Sequence, residues 1–273
     1  MKKLMNIRHI FLSLLIIFNF SFKSKGQEEY RIVKNEAFAV GEHLTWRFYY
    51  DSWLAGITAG YGEAVIKDSR KEFNGRSVYH IDTKGYTKGM FNWFFKVEDK
   101  FDSYVDKGSL APHYFTRKTR EGGYKKDDEY TFDQKQQKVT NRNGTYNTPP
   151  YIQDFISALY YARTFNSDTL VPGDIIPVNF FLDDSVYTSA IVFEGRDTIE
   201  IKLGIFKCLR FRPGMATGEV FSNKYPMTLW VSDDKNHIPI LGKSAVIVGN
   251  LKAELMEYSG LANPFTSLIE LKE

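Results

Sequence analysis

Only one cysteine, Cys208, occurs in 273 residues, so a disulfide within the chain is excluded, as is any cysteine-rich metal site. Histidine is also scarce. His9, His43, His80, His113 and His237 are far apart, without the HxH or HExxH spacing that sets two ligands on one face of an element, and no metal is expected. There is no G-x-S-x-G elbow and no P-loop, and Gly56, Gly60 and Gly62 do not form a dinucleotide fingerprint. No cofactor is therefore expected, and those glycines read as relief for a strongly curved strand or a bulge. Long apolar runs are missing too, since the run at 10–20 falls well short of the ~20 residues of a transmembrane helix.

What is present begins with Lys2, Lys3 and Arg8, passes through that apolar run, and turns small and polar across 21–27. This is the order of a secretory signal. Ser24 and Gly26 stand three and one before a cut, which predicts a cleaved segment 1–26 and a mature start at Gln27. No cysteine sits at the junction to carry a lipid, so a soluble periplasmic or secreted protein is expected, with no transmembrane segment after cleavage. The first 26 residues hold five Lys or Arg and no acid, leaving 31 basic against 33 acidic residues in the mature chain. That balance removes the electrostatic reason to expect nucleic acid.

Period-2 patterning dominates the rest. Stretches 43–50, 77–86, 95–105, 124–133, 184–194, 205–212, 227–232 and 246–257 are rich in β-branched and aromatic residues and predict strands. Asn74-Gly75 and Asn143-Gly144 lie between strands and predict tight hairpins, hence antiparallel pairing. One segment differs. Ile152, Phe155, Ile156, Leu159 and Tyr160 recur at helical spacing and predict an amphipathic helix over 152–165, set up by Pro149-Pro150. The expected fold is mainly β, with curved antiparallel sheets forming a barrel or half-barrel and this helix packed on it. Residues 27–273 read as one domain with two β lobes, about 36–148 and 170–258, joined by the helix.

Asp127-Asp128-Glu129, Asp183-Asp184 and Asp233-Asp234 read as solvated turns, because sequence neighbours do not supply two carboxyls facing each other across a cleft. The most unusual stretch is 89–95, with four aromatics in five positions. Strict alternation fails there. Met90, Phe91, Trp93, Phe94 and Phe95 are candidates for a cavity wall or an apolar lip, weighed against plain core packing, and Tyr160 and Tyr161 on the helix join them.

Two stretches carry a resemblance, Phe38-Ala-Val-Gly41-Glu42-His-Leu44-Thr-Trp46 and Leu229-Trp230-Val-Ser232-Asp233-Asp234 with His237-Ile-Pro239-Ile behind it. With Ile156-Ser-Ala-Leu159-Tyr160-Tyr161-Ala-Arg163 and Gly204-Ile-Phe206, the chain resembles the exported bacterial proteins grouped as domain of unknown function 3108, of Bacteroidetes type. The resemblance implies an envelope location and a β-rich fold, and carries over no catalytic residue. Three roles are open. The foremost expectation is a non-catalytic binding or scaffolding domain for a lipid-like or apolar small molecule. The others are a module that meets an envelope protein without a ligand cavity, and an envelope glycan hydrolase using carboxylates.

Overall fold

Alternating patterns become strands where every second side chain can be buried on one face. In the computed structural model, which describes residues 30–50, 58–214, 227–245 and 250–272, all eight patterned stretches carry one. The expected signal segment 1–26, and 246–249 at the head of the last stretch, lie outside the described residues. A first meander contains β1 (His43–Tyr50), β2 (Thr58–Phe73), β3 (Arg76–Thr87), β4 (Glu98–Asp106), β5 (Pro112–Glu121), β6 (Tyr124–Asp133), β7 (Lys138–Asn141) and β8 (Gly144–Asn147). A second contains β9 (Ile175–Leu182), β10 (Ser185–Ile201), β11 (Gly204–Pro213), β12 (Met227–Ser232), β13 (Pro239–Ala245) and β14 (Asn250–Ser259). β15 (Leu268–Leu271) adds to β11.

Antiparallel pairing of β1 with β14, from His43–Ser259 to Tyr50–Leu251, joins the meanders into a single curled sheet of order β8 to β1 and then β14 to β9. The sheet does not close by a strand ladder. Its two ends meet instead through side chains and one short segment. Asn141 and Asn143 donate amide hydrogens to Asp184 at 2.5 and 2.7 Å, Arg117 and Lys126 pair with Asp183, and Tyr146 packs on Phe181. Gln153 bonds β9 through Asn179 O at 3.0 Å and Phe181 N at 2.8 Å, while Gln134 of the first meander donates to Ile152 O at 3.0 Å.

Asp183-Asp184 is the expected turn, both residues at positive φ, and although Asp183 stays exposed it is also tied across this seam. Asp127-Asp128-Glu129 is not a turn. It lies within β6, where alternation sends Asp128 inward against Arg117 and Asp127 outward against Arg120. Asn74-Gly75 forms its hairpin with φ of 52° and 74°. The second hairpin centres one residue early, so that Gly144 pairs with Asn141 and starts β8.

Helix α1 (Gly89–Phe94) lies just ahead of the strand expected over 95–105, which begins as β4 at Glu98, and α2 (Phe155–Ala162) is shorter than its apolar pattern. Tyr151 at φ 54° and the strand-like contacts of Gln153 keep 151–153 out of α2. Asp154 then caps it, accepting from Ile156 N and Ser157 N at 2.7 Å while Ser157 Oγ accepts from Asp154 N. Ile156 and Tyr160 pack with Ile66, Ile81, Phe115, Tyr130 and Phe181 in the core of the first meander. A second core covers the outer face of the other meander. There Phe206, Cys208 and Trp230 meet Phe265 and Leu268 of the C-terminal segment. Burial pushes the Cys208 thiol up to about 12, so it behaves as a small apolar group.

Candidate functional site

The inner face of β1 presents Leu44, Trp46, Phe48 and Tyr50, as its alternation requires. Opposite them β2 has almost no side chains. Gly62 pairs with Trp46 and Gly60 with Phe48, and Gly85 of β3 lies beside Gly62. A Cβ on Gly60 would stand 2.2 Å from the backbone oxygen of Tyr86, so that position accepts only glycine, while one on Gly62 would stand 2.8 Å from the Phe48 ring and push it aside. Gly85 faces open space, its nearest neighbour being Asp99 Cβ at 4.0 Å.

The bare patch leaves a cavity of about 820 Å³ between the curled sheet and α2. Its far wall is the third apolar cluster, with Ile176, Val178, Leu209, Phe211 and Val231. Phe155 and Leu159 of α2 also line the cavity and stay partly exposed, while Ile156, Ser157 and Tyr160 are buried.

Helix α1 forms the rim. None of its residues is buried, and it is held by Lys88 N donating to Ala59 O at 3.1 Å and by the Thr87 hydroxyl donating to Asn92 Oδ1 at 3.2 Å. Phe91 stacks on Tyr50 with ring centres 6.0 Å apart, and Trp93 meets Phe94 edge-on at 4.5 Å. Of the candidate residues, Phe91, Phe94, Phe95 and Tyr160 line the cavity. Met90, Trp93 and Tyr161 do not. The helical turn sends Met90 and Trp93 into solvent, 60% and 80% exposed, and Tyr161 packs on Phe165 at 5.3 Å. Phe94 and Phe95 line the cavity while 69% and 52% exposed, which marks α1 as a place where the cavity opens.

Several polar groups on the wall are tied to the protein itself, although the buried Tyr160 hydroxyl has no hydrogen-bond partner among the described residues. Arg163, one residue past α2, makes a two-pronged ion pair with Glu42, Nη1 to Oε1 and Nη2 to Oε2 both at 2.6 Å, and its Nε donates to Asn236 O at 3.0 Å. Both side chains are buried. Burial opposes the Arg163 charge, but the bonds and charge of Glu42 outweigh it and hold the guanidinium above its ordinary value. Glu63 accepts from the Tyr86 hydroxyl at 2.7 Å, and Asp99 accepts from Arg120 N at 2.9 Å. His237 Nδ1 lies 2.7 Å from Arg163 O, which fixes a proton on Nδ1 and leaves Nε2 to accept from the Ser167 hydroxyl at 3.0 Å. A hydroxyl against an imidazole is the first half of an acyl-transfer site. Here a carbonyl stands where a carboxylate would stabilise the imidazolium, and the contact instead fixes the end of α2 to the β12–β13 turn.

Arg163 and Glu42 are 121 positions apart, and neither was a candidate from the sequence. The available signal was that Glu42, Arg163 and His237 each fall in one of the stretches that carry the family resemblance, and all three stretches meet here. Among the described residues no group of three or more His, Cys, Asp or Glu is placed to hold a metal.

A family model described as protein of unknown function (DUF3108) matches residues 43–256. The chain belongs to the DUF3108 family. Among solved structures it is similar to a β-barrel-like protein of the domain of unknown function DUF1849 from Brucella abortus, at 10% identity and a TM-score of 0.54, covering 85% of this chain and 98% of that one. It is also matched to a protein with a YmcC-like fold from Bacteroides fragilis, described as exported, at 8% identity and a TM-score of 0.33, covering 84% of this chain and 99% of that one. No curated protein matches. The first likeness places this DUF3108 chain among barrel-like folds. No helix among the described residues is long and apolar enough to cross a membrane.

Proposed function

We propose that the protein acts outside the cytoplasm, after removal of residues 1–26, as a non-catalytic binding protein for a lipid-like or apolar ligand held between the sheet and α2. The observation that carries this reading is the cavity itself. At about 820 Å³ it falls within the ~300–1,000 Å³ of ligand sites, and its wall is mostly apolar, with Arg163 and Glu63 already bonded within the protein. Gly85 adds to the same wall, where a Cβ would meet only Asp99 Cβ at 4.0 Å.

Native mass spectrometry and solvent extraction of protein taken from its own cells test it. A bound apolar species is expected, reduced at least tenfold by Gly85→Leu, which fills the cavity, and by Leu159→Asp, which charges it. Circular dichroism should stay unchanged in both variants. Absence of bound lipid, together with no saturable uptake of a fluorescent fatty acid, would leave the chain as a partner-binding module instead.

A further inference from the structure

Helix α1 is an odd object in a water-soluble fold. Six residues long, it buries none of its own side chains and turns Met90, Trp93 and Phe94 outward, with Phe95 directly behind them. The β5–β6 turn supports it. Gly122 N donates to Lys96 O at 2.8 Å, and the Phe95 ring lies over Gly122, where an added Cβ would stand 2.9 Å from it. Just past that turn the exposed Tyr124 extends the apolar tip.

The sequence around this tip is locally basic in a chain that is slightly acidic beyond residue 26. Residues 84–100 hold four lysines against two acids, and residues 117–128 hold five Lys or Arg against three acids. Lys88 and Lys96 flank α1 at its two ends, and Lys125 follows Tyr124. All three are exposed; Lys96 pairs with Glu98 at 2.8 Å and the Lys88 ammonium lies over the Tyr61 ring at 5.0 Å, while Lys125 forms no salt bridge among the described residues.

We propose that this end of the molecule docks on an anionic bilayer surface, with Met90 and Trp93 in the interfacial layer and Lys88, Lys96 and Lys125 against the headgroups. Three arguments select a membrane. Trp and Tyr beside Lys is the composition that settles where hydrocarbon meets headgroup. Met90, Trp93, Phe94 and Phe95 together expose roughly 500 Å² of apolar surface, taking ~150–250 Å² for a whole aromatic side chain, which is less than the ~800 Å² each partner of a stable protein pair contributes. Finally, Phe94 and Phe95 belong both to this tip and to the cavity wall, so docking brings the cavity opening against the lipid phase. This inference rests on the reading of the cavity as a lipid site, for which it supplies the route of exchange.

The test is flotation of the mature protein with vesicles of phosphatidylcholine, alone or with ~30% phosphatidylglycerol, beside fatty-acid uptake measured without vesicles. Wild type should float with the anionic vesicles, and its Trp emission should shift to the blue. Met90→Ser with Trp93→Ser, which leaves the cavity lining intact, should cut vesicle binding at least tenfold and leave fatty-acid uptake unchanged. Lys88→Glu with Lys125→Glu should cut binding at least fivefold on anionic vesicles only. Wild type that fails to float, or floats undiminished after the Met90 and Trp93 changes, overturns docking. So does sedimentation showing that those two changes dissolve a dimer, since the tip would then cover a second copy. Fatty-acid uptake without flotation keeps the cavity and rejects docking, whereas flotation without uptake does the reverse.

Discussion

Arg163 and Glu42 illustrate what a buried charge does in this interior. The pair satisfies itself and fixes three distant stretches of chain, since Arg163 also reaches Asn236 O and, at 3.3 Å, Ala37 O. Removing one partner leaves the other buried and unpaired. Arg163→Met is therefore expected to destabilise the fold by ~3–5 kcal/mol in urea unfolding. Adding Glu42→Leu should recover most of that loss, because two apolar side chains of similar volume avoid the desolvation cost of both charges. A double variant no more stable than Arg163→Met would show that the hydrogen bonds to Asn236 and Ala37 matter more than the charge pair.

Among the elements, α2 depends on its cap. Asp154 is fully buried, and its second oxygen accepts from the Ser103 hydroxyl at 2.6 Å. Burial outweighs these bonds and pushes its carboxyl up to about 6. A carboxyl raised above its unfolded value contributes stability that is complete below about 4 and is lost as the pH rises through 6. Asp154→Asn keeps a capping oxygen but does not titrate. Its stability relative to wild type should improve from pH 4 to pH 7.5, by up to about 3 kcal/mol. A flat difference across that range would mean that Asp154 stays ionised. The cap itself was legible only in part. Apolar spacing placed α2 within 152–165, but the turns that Tyr151 and Gln153 spend against β9 carry no periodic signature. β2 was legible only through its glycines, read as relief for a curved strand, because Gly60, Gly62 and Ala64 supply no apolar alternation, and their smallness makes room for the cavity. α1 escaped the sequence reading because a run of aromatics satisfies strand propensity, and only the geometry of the rim shows that it turns. The strands that were legible are those with one face in the core, such as β1, β3 and β6.

On the scale of the whole molecule, the sheet is a roll whose edges are fastened by side chains. Asp183 and Asp184 supply most of that fastening from one tight turn. Replacing both by Asn keeps residues that tolerate a positive φ and removes the charge. Amide exchange in β7, β8 and β9 should then accelerate at least fivefold while β1 to β3 keep their protection. Uniform acceleration would mean that the roll opens only by global unfolding. The other junction, β1 with β14, has a consequence in time. Tyr50 lies about 200 residues ahead of its partner Leu251. At ~5–20 residues per second of synthesis, β1 waits ~10–40 s for that partner. Throughout the wait one edge of the strand has no ladder, and Trp46 and Phe48 have none of the later strands to cover them. A chaperone that keeps this chain from clumping before it is complete therefore has its first task at residues 43–50.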